Sequence, residues 1–148
     1  MKISTKGRYG VRILLDLALH EGNTPRLIRD ISESQQISEK YISRLIIALR
    51  RANMVRSIRG AKGGFRLARN PAELTLLDIV EVMEGPVAIV DCVRSPEKCC
   101  RNDQCATREV WDSLNSEIRE AMRKVTLADI IENYRKRNAE DGIFDYCI

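Results

Sequence analysis

The sequence predicts a mainly α-helical chain with one small β-hairpin, and three patterns carry that prediction. Apolar residues recur at helical spacing through the first fifty positions, a glycine-rich link joins two short alternating runs at 55–68, and a second helical stripe occupies 107–125. Three short helices followed by a hairpin is the order of a winged helix-turn-helix, here extended by a long dimerisation helix. A chain of 148 residues has room for one such domain and one added element.

Tyr9, Ile13 and Leu17 lie at i, i+4 and i+8 with Leu14 and Ala18 beside them, and Gly22 supplies a stop, so a first helix is expected over about Lys6 to His20. Beyond Pro25, Ile28 to Gln35 reads as a short second helix and Gln36 begins a turn. Ser38 is a natural N-cap for a third helix, and Ile37 and Ile42 have the spacing of a hydrophobic staple. Its buried stripe is Ile42, Leu45, Ile46 and Leu49, leaving Glu39, Lys40, Ser43 and Arg44 on the opposite side. Val55 to Arg59 and Phe65 to Ala68 alternate as paired strands do, and Gly60-Ala61-Lys62-Gly63-Gly64 between them permits the positive φ of a tight connection. That link lacks the GxxxxGK[ST] pattern and following helix of a phosphate-binding loop.

Asn70-Pro71-Ala72-Glu73 closes this region, and Thr75 caps a helix over Leu76 to Met83 that Gly85-Pro86 ends. A loop is expected from Val87 to Gln104, and with Cys105 directly after it this stretch carries four of the five cysteines. The long amphipathic helix, Thr107 to Val125, has a stripe of Trp111, Leu114, Ile118, Ala121 or Met122, and Val125, a spacing suited to a partner helix in a dimer. Thr126 caps a final helix to about Arg137. The expected organisation is therefore a winged helix-turn-helix domain at 1–84 (helix-turn-helix about 28–51, wing about 55–68), a cysteine-containing segment at 85–106, a dimerisation helix and final helix at 107–137, and a flexible tail at 138–148.

Charge divides the chain at Asn70. Positions 1–70 carry fifteen Lys and Arg against five Asp and Glu, a balance of +10, whereas 71–148 carry ten against sixteen, a balance of −6. Such segregation bears on partners rather than fold, and the simplest partner for the first half is a polyanion. The polar, cationic start offers no signal peptide or membrane span, so a cytoplasmic protein is expected. Five cysteines in that compartment stay reduced, which favours metal or redox chemistry over disulfides.

On double-stranded DNA each basic element has a use. The third helix can enter the major groove from Ser38, with Lys40, Ser43 and Arg44 toward base edges. Tyr41 either reaches a phosphate or packs on the preceding helix. Arg59, Gly60 and Lys62 at the wing tip suit the minor groove, and Lys2, Lys6 and Arg8 suit phosphates. An enzyme is not expected, because a cysteine nucleophile needs a base and the single histidine, His20, sits at a helix end where the dipole alone explains it.

Ser4-Thr5-Lys6-Gly7-Arg8-Tyr9, Ile31-Ser32-Glu33 leading to Ile37-Ser38-x-x-Tyr41, and Ser57-Ile58-Arg59-Gly60-x-x-Gly63-Gly64 resemble the Rrf2 family of transcriptional regulators, in its IscR/NsrR-like, iron-sulfur-cluster branches. The similarity runs from Lys2 to about Tyr134 and includes Thr75-Leu76-Leu77-Asp78-Ile79-Val80-Glu81 and Cys105-Ala106-Thr107-x-x-x-Trp111. It implies a homodimer on a partly palindromic operator with half-sites about 34 Å apart. It also implies a 2Fe-2S cluster held by three cysteines, here Cys92, Cys99 and Cys105 with Cys100 as the alternative to Cys99. The positions from which the family supplies a fourth ligand are Arg108 and Arg8 in this chain, so that ligand is unassigned: Cys100, an acidic side chain or solvent. Zinc fits less well, since paired CxxC spacing is absent. Another branch of the family implies a cluster-free regulator of cysteine metabolism, with Asp145-Tyr146-Cys147-Ile148 contacting a cysteine-synthesising enzyme.

Overall fold

A computed structural model describes residues 2–141, and its core forms where helix α1 (Thr5–Leu19) meets α2 (Ile28–Gln35) and α3 (Glu39–Arg51). Strands β1 (Val55–Ile58) and β2 (Gly64–Leu67) pair antiparallel, Val55 opposite Leu67 and Ile58 opposite Gly64. A 3₁₀ turn at Pro71–Glu73 leads to α4 (Leu76–Glu84), the short α5 (Asp91–Arg94), the long α6 (Arg108–Lys124) and α7 (Leu127–Asp141). The expected mainly helical winged arrangement is thus present. The Asp145–Ile148 tail lies outside the described residues.

Capping explains several boundaries. Ser4 Oγ accepts from Lys6 N (3.1 Å), and Ser38 Oγ accepts from Tyr41 N (3.3 Å), each satisfying a donor that a helix start leaves unpaired. Gln36, at φ 53°, ends α2 in the left-handed region, and Asn53, at φ 55°, does the same in the turn that follows α3. Thr75 and Asp78 form a reciprocal capping box on α4, and Thr126 and Asp129 repeat it at α7. Asp129 is held below the usual carboxylate range by the Thr126 backbone and hydroxyl donors.

The main core joins Ile13, Leu14 and Leu17 of α1 to Ile31, to Ile42, Leu45, Ile46 and Leu49 of α3, and to Val55 and Leu67 of the hairpin. The predicted α3 stripe is the buried one, and Ile37 joins it as the staple requires. Leu127 and Ile131 of α7 return into the same cluster, clasped by Leu76 N to Val125 O and Leu127 N to Leu74 O, both 2.8 Å. A second, smaller cluster, Leu77, Val80, Val87 and Met122, joins α4 to α6.

Helices α1 and α4 approach closely because Gly7 and Gly10 have no side chain. A Cβ at Gly7 would stand 2.4 Å from Glu84 Oε1, and one at Gly10 would stand 2.7 Å from Met83 Cγ. Glu84 uses that proximity to accept from Ser4 N (2.7 Å) and Gly7 N (3.1 Å), placing a carboxylate at the electropositive end of α1.

Two expectations are corrected. The segment at 87–104 is not a plain loop: it contains α5 and 3₁₀ turns at Pro96–Lys98 and Asn102–Gln104, single turns too short for a periodic pattern to mark. The α6 stripe is also divided. Met122 is buried and Ala121 exposed, because the C-terminal half of α6 packs on α4, whereas Val110, Trp111 and Leu114 face outward.

Beneath α1 lies a buried polar knot. The Asp16 carboxylate, 1% exposed, accepts from Arg26 Nε (2.8 Å), Arg26 Nη2 (3.3 Å), Gln35 Nε2 (3.2 Å) and the Ser34 hydroxyl. Arg26 also pairs through its backbone with Phe65 of β2, at 3.0 and 2.8 Å. One arginine therefore ties α1, α2 and the hairpin. Removing one member of a buried pair leaves the other charge uncompensated, so Arg26→Ala is expected to cost about 3–5 kcal/mol in urea unfolding at neutral pH. Ser34→Ala, which removes one hydrogen bond, should cost roughly 1 kcal/mol, and equal losses for the two would contradict this ranking.

Candidate functional site

The outward side of α3 is made by default, since burying Ile42, Leu45, Ile46 and Leu49 turns Lys40 and Arg44 to solvent. The predicted positions differ in what they already do. The Ser38 hydroxyl is occupied as the N-cap, and the Ser43 hydroxyl donates to Glu39 O (2.8 Å), keeping only its lone pairs for a further partner. Tyr41 is half-buried, its ring edge-on to Tyr9 of α1 with centroids 5.8 Å apart, a contact with the first helix where packing on the immediately preceding one was expected. Tyr9 in turn lies under the Arg12 guanidinium, 5.1 Å from the ring centroid.

At the wing tip Arg59, Gly60 and Lys62 are all exposed. Gly60 has φ +107°, and a Cβ at Gly63 would stand 2.3 Å from the Ile58 carbonyl oxygen, so the tip needs glycine at both places. Lys6 and Arg8 project from the first turn of α1, also exposed.

Sequence reasoning missed a continuation of this surface. Ile47, Arg50 and Arg51 of α3 with Val55, Arg56 and Ser57 of β1 line an open depression of about 510 Å³. None of the ion pairs among the described residues involves Arg50, Arg51 or Arg56. The available signal was the helical step from Lys40 through Arg44 and Ile47 to Arg51, which keeps one face of α3 basic to its end.

The cysteines fall into separate places. Cys92 on α5 and Cys99 line one depression of about 390 Å³ together with Asp91, Arg94, Ser95 and Lys98. Cys100 is exposed. Cys105 stands at the start of α6, its Sγ 3.4 Å from Thr107 Oγ1. The Thr107 hydroxyl, then the Thr107 backbone and Arg108, hold the Cys105 thiol below the ordinary thiol range. All four are free thiols, yet among the described residues no three His, Cys, Asp or Glu side chains group closely enough to hold a metal ion. The donor chemistry therefore suits a thiophilic group, with Cys92 and Cys99 on one depression and Cys105 not among the residues that line it.

Removing the Thr107 hydroxyl should let the Cys105 thiol rise toward its ordinary value. In Thr107→Val the pH of half-maximal alkylation of the Cys105 peptide, followed by mass spectrometry, is expected to move upward; a downward or absent shift would contradict the assigned cause.

The Rrf2 family, described as an iron-dependent transcriptional regulator, matches residues 3–133. The transcriptional regulator CymR of Bacillus subtilis is 38% identical over 130 residues, spanning 88% of this chain and 89% of that protein. The regulator IscR of Pectobacterium atrosepticum is 33% identical over 141 residues, spanning 95% and 85%. Among solved structures, CymR, titled the global cysteine regulator of B. subtilis, superposes with a TM-score of 0.77 at 36% identity, covering 90% of this chain and 98% of that one. T. potens IscR gives 0.73 at 38%, covering 90% and 88%. Among the described residues no helix is long and apolar enough to cross a membrane.

Proposed function

The chain belongs to the Rrf2 family of transcriptional regulators, and from that footing we propose that it binds a partly palindromic operator as a homodimer and reports iron-sulfur or redox status through its cysteine segment. It is a regulator, as its relatives are by name, and not an enzyme. The observation that carries the DNA side is the exposure of Lys40, Arg44, Arg59 and Lys62 on a third helix and wing whose other sides are locked into the core. Lys40 and Arg44 reach base edges in the major groove, Arg59 and Lys62 enter the minor groove, and Lys6 and Arg8 hold phosphates. Val110, Trp111 and Leu114, 55%, 39% and 42% exposed, are the apolar face that a second copy covers.

For the cysteine segment the supporting facts are four free thiols within fourteen positions and the depressed Cys105 thiol. Cys92, Cys99 and Cys105 would hold a 2Fe-2S cluster, which supplies reversible one-electron chemistry when bound. At Cys105 the Thr107 hydroxyl favours the thiolate by hydrogen bonding. The regulator is then cytoplasmic, the compartment in which such thiols stay reduced.

The similarity to CymR favours a second reading: a cluster-free regulator of cysteine metabolism whose Asp145–Ile148 tail contacts a cysteine-synthesising enzyme. Iron and sulfide analysis of anaerobically prepared protein separates the two. The first reading expects both elements, retained in Cys100→Ser and lost in Cys92→Ser, Cys99→Ser and Cys105→Ser. The second expects neither, together with capture of the enzyme that disappears when Ile148 is deleted.

DNA titrations test the interface. Arg59→Ala should weaken operator binding and reduce the salt slope by about one. Arg44→Ala should cost roughly 1–3 kcal/mol and relax preference at one base position, so a uniform loss across all sequences would contradict its base-reading role.

A further inference from the structure

Asn115, on α6, is one of three buried polar or charged residues among those described, 6% exposed. Its Oδ1 accepts from Ile89 N at 3.1 Å, a side-chain bond to backbone 26 residues away. Two residues earlier, Val87 N donates to Glu81 Oε1 (3.0 Å), and the Arg119 guanidinium both pairs with Glu81 and donates to Val87 O (3.4 Å). Residues 87–89 are thus pinned between α4 and α6, immediately before the turn that carries Cys92.

The other end of the segment is fixed to the same helix, because Cys105 bonds Thr107 at the start of α6. A rise of about 1.5 Å per residue puts Asn115 roughly 12 Å along α6 from Thr107. The whole cysteine segment is therefore a loop fastened at both ends to the first two turns of α6. Between the fastenings lie Val110, Trp111 and Leu114, the exposed apolar face.

We propose that Asn115 is the positioning residue through which chemistry at the segment's thiols is imposed on that face. Added bulk or altered spacing at Cys92, Cys99 and Cys105 pulls on Ile89 against Cys105, and the Asn115 acceptor delivers that pull to α6 directly beside Leu114. Without it residues 87–89 hold to α6 only through Arg119, one turn further from the exposed face, and 110–114 stay where they are. This rests on the reading that the thiols are the sensing groups, but not on what they bind.

Trp111 is the chain's single tryptophan, so its emission reports on this face alone. Full-length protein carrying Cys147→Ser is treated with iodoacetamide, the modified thiols are counted by intact mass, and the emission maximum and amide exchange of 108–115 are followed. The parent should show a shift in both. Asn115→Ala and Asn115→Gln, which remove or displace the acceptor, should lose the shift at equal modification, and Asn115→Asp, which keeps an acceptor oxygen, should restore it. A purely structural Asn115 would lower the unfolding midpoint of Asn115→Ala yet leave the shift intact, and that result overturns the proposal. So does an unmoved Trp111 in the parent after all four thiols are modified. A parallel anaerobic loading with iron and sulfide isolates the cluster reading: failure to load removes that reading alone, while the alkylation arm still decides the role of Asn115.

Discussion

The geometry of the basic half depends on one buried carboxylate. Asp16 sits on the core side of α1 with Arg26, Ser34 and Gln35 aimed at it, and it has no water to fall back on. A charge in that position is tolerable only while its partners hold their places. The partners belong to α2 and to the residue whose backbone extends β2, so the carboxylate fixes how the helix-turn-helix and the wing stand relative to α1. An apolar residue there could fill the volume, but it would not choose one arrangement among several.

Around that knot the chain separates its tasks. The apolar sides of α1, α2 and α3 are spent inward, which leaves arginine and lysine outward without any need for them to pack. Helix α6 does the reverse along its length: its later turns are used within the chain, through Met122 and Arg119, and its early turns are left uncovered. The cysteine segment is fastened to α6 at Asn115 and Thr107, so on the proposed reading a thiol signal can run through α6 and α4 to α1. The glycine-permitted contact of α1 with α4 makes the last of those steps a close-packed one, with Glu84 holding the very turn that carries Lys6 and Arg8.

Most of this fold was legible because local rules and packing agree in it. The bounds of α2, the N-cap at Ser38, the α3 stripe and the hairpin all follow from spacing within a dozen residues. Asp16 was not legible as a keystone, since its partners arrive from ten to nineteen positions away and nothing in helical periodicity names them. Periodicity likewise predicted the α6 stripe but could not say which half the chain covers itself, a matter of where α4 happens to lie. Of the candidate site, the exposed cations were readable residue by residue, whereas the occupied hydroxyls of Ser38 and Ser43 and the arginines lining the α3–β1 depression required coordinates. The cysteine segment was readable as chemistry and not as shape, because single helical turns leave no periodic trace.

The return of α7 into the first core bears on modularity. Leu127 is fully buried and Ile131 nearly so, in the cluster that Ile13 and Leu49 anchor. The N-terminal helices and hairpin are consequently not a transplantable cassette: cut away from the C-terminal helix, they would present a raw apolar gap beside Leu74 and Ile79 rather than a finished surface. Fusions and chimaeras in this architecture must therefore exchange the two ends of the chain together, and sequence drift in α7 is constrained by residues more than a hundred positions upstream.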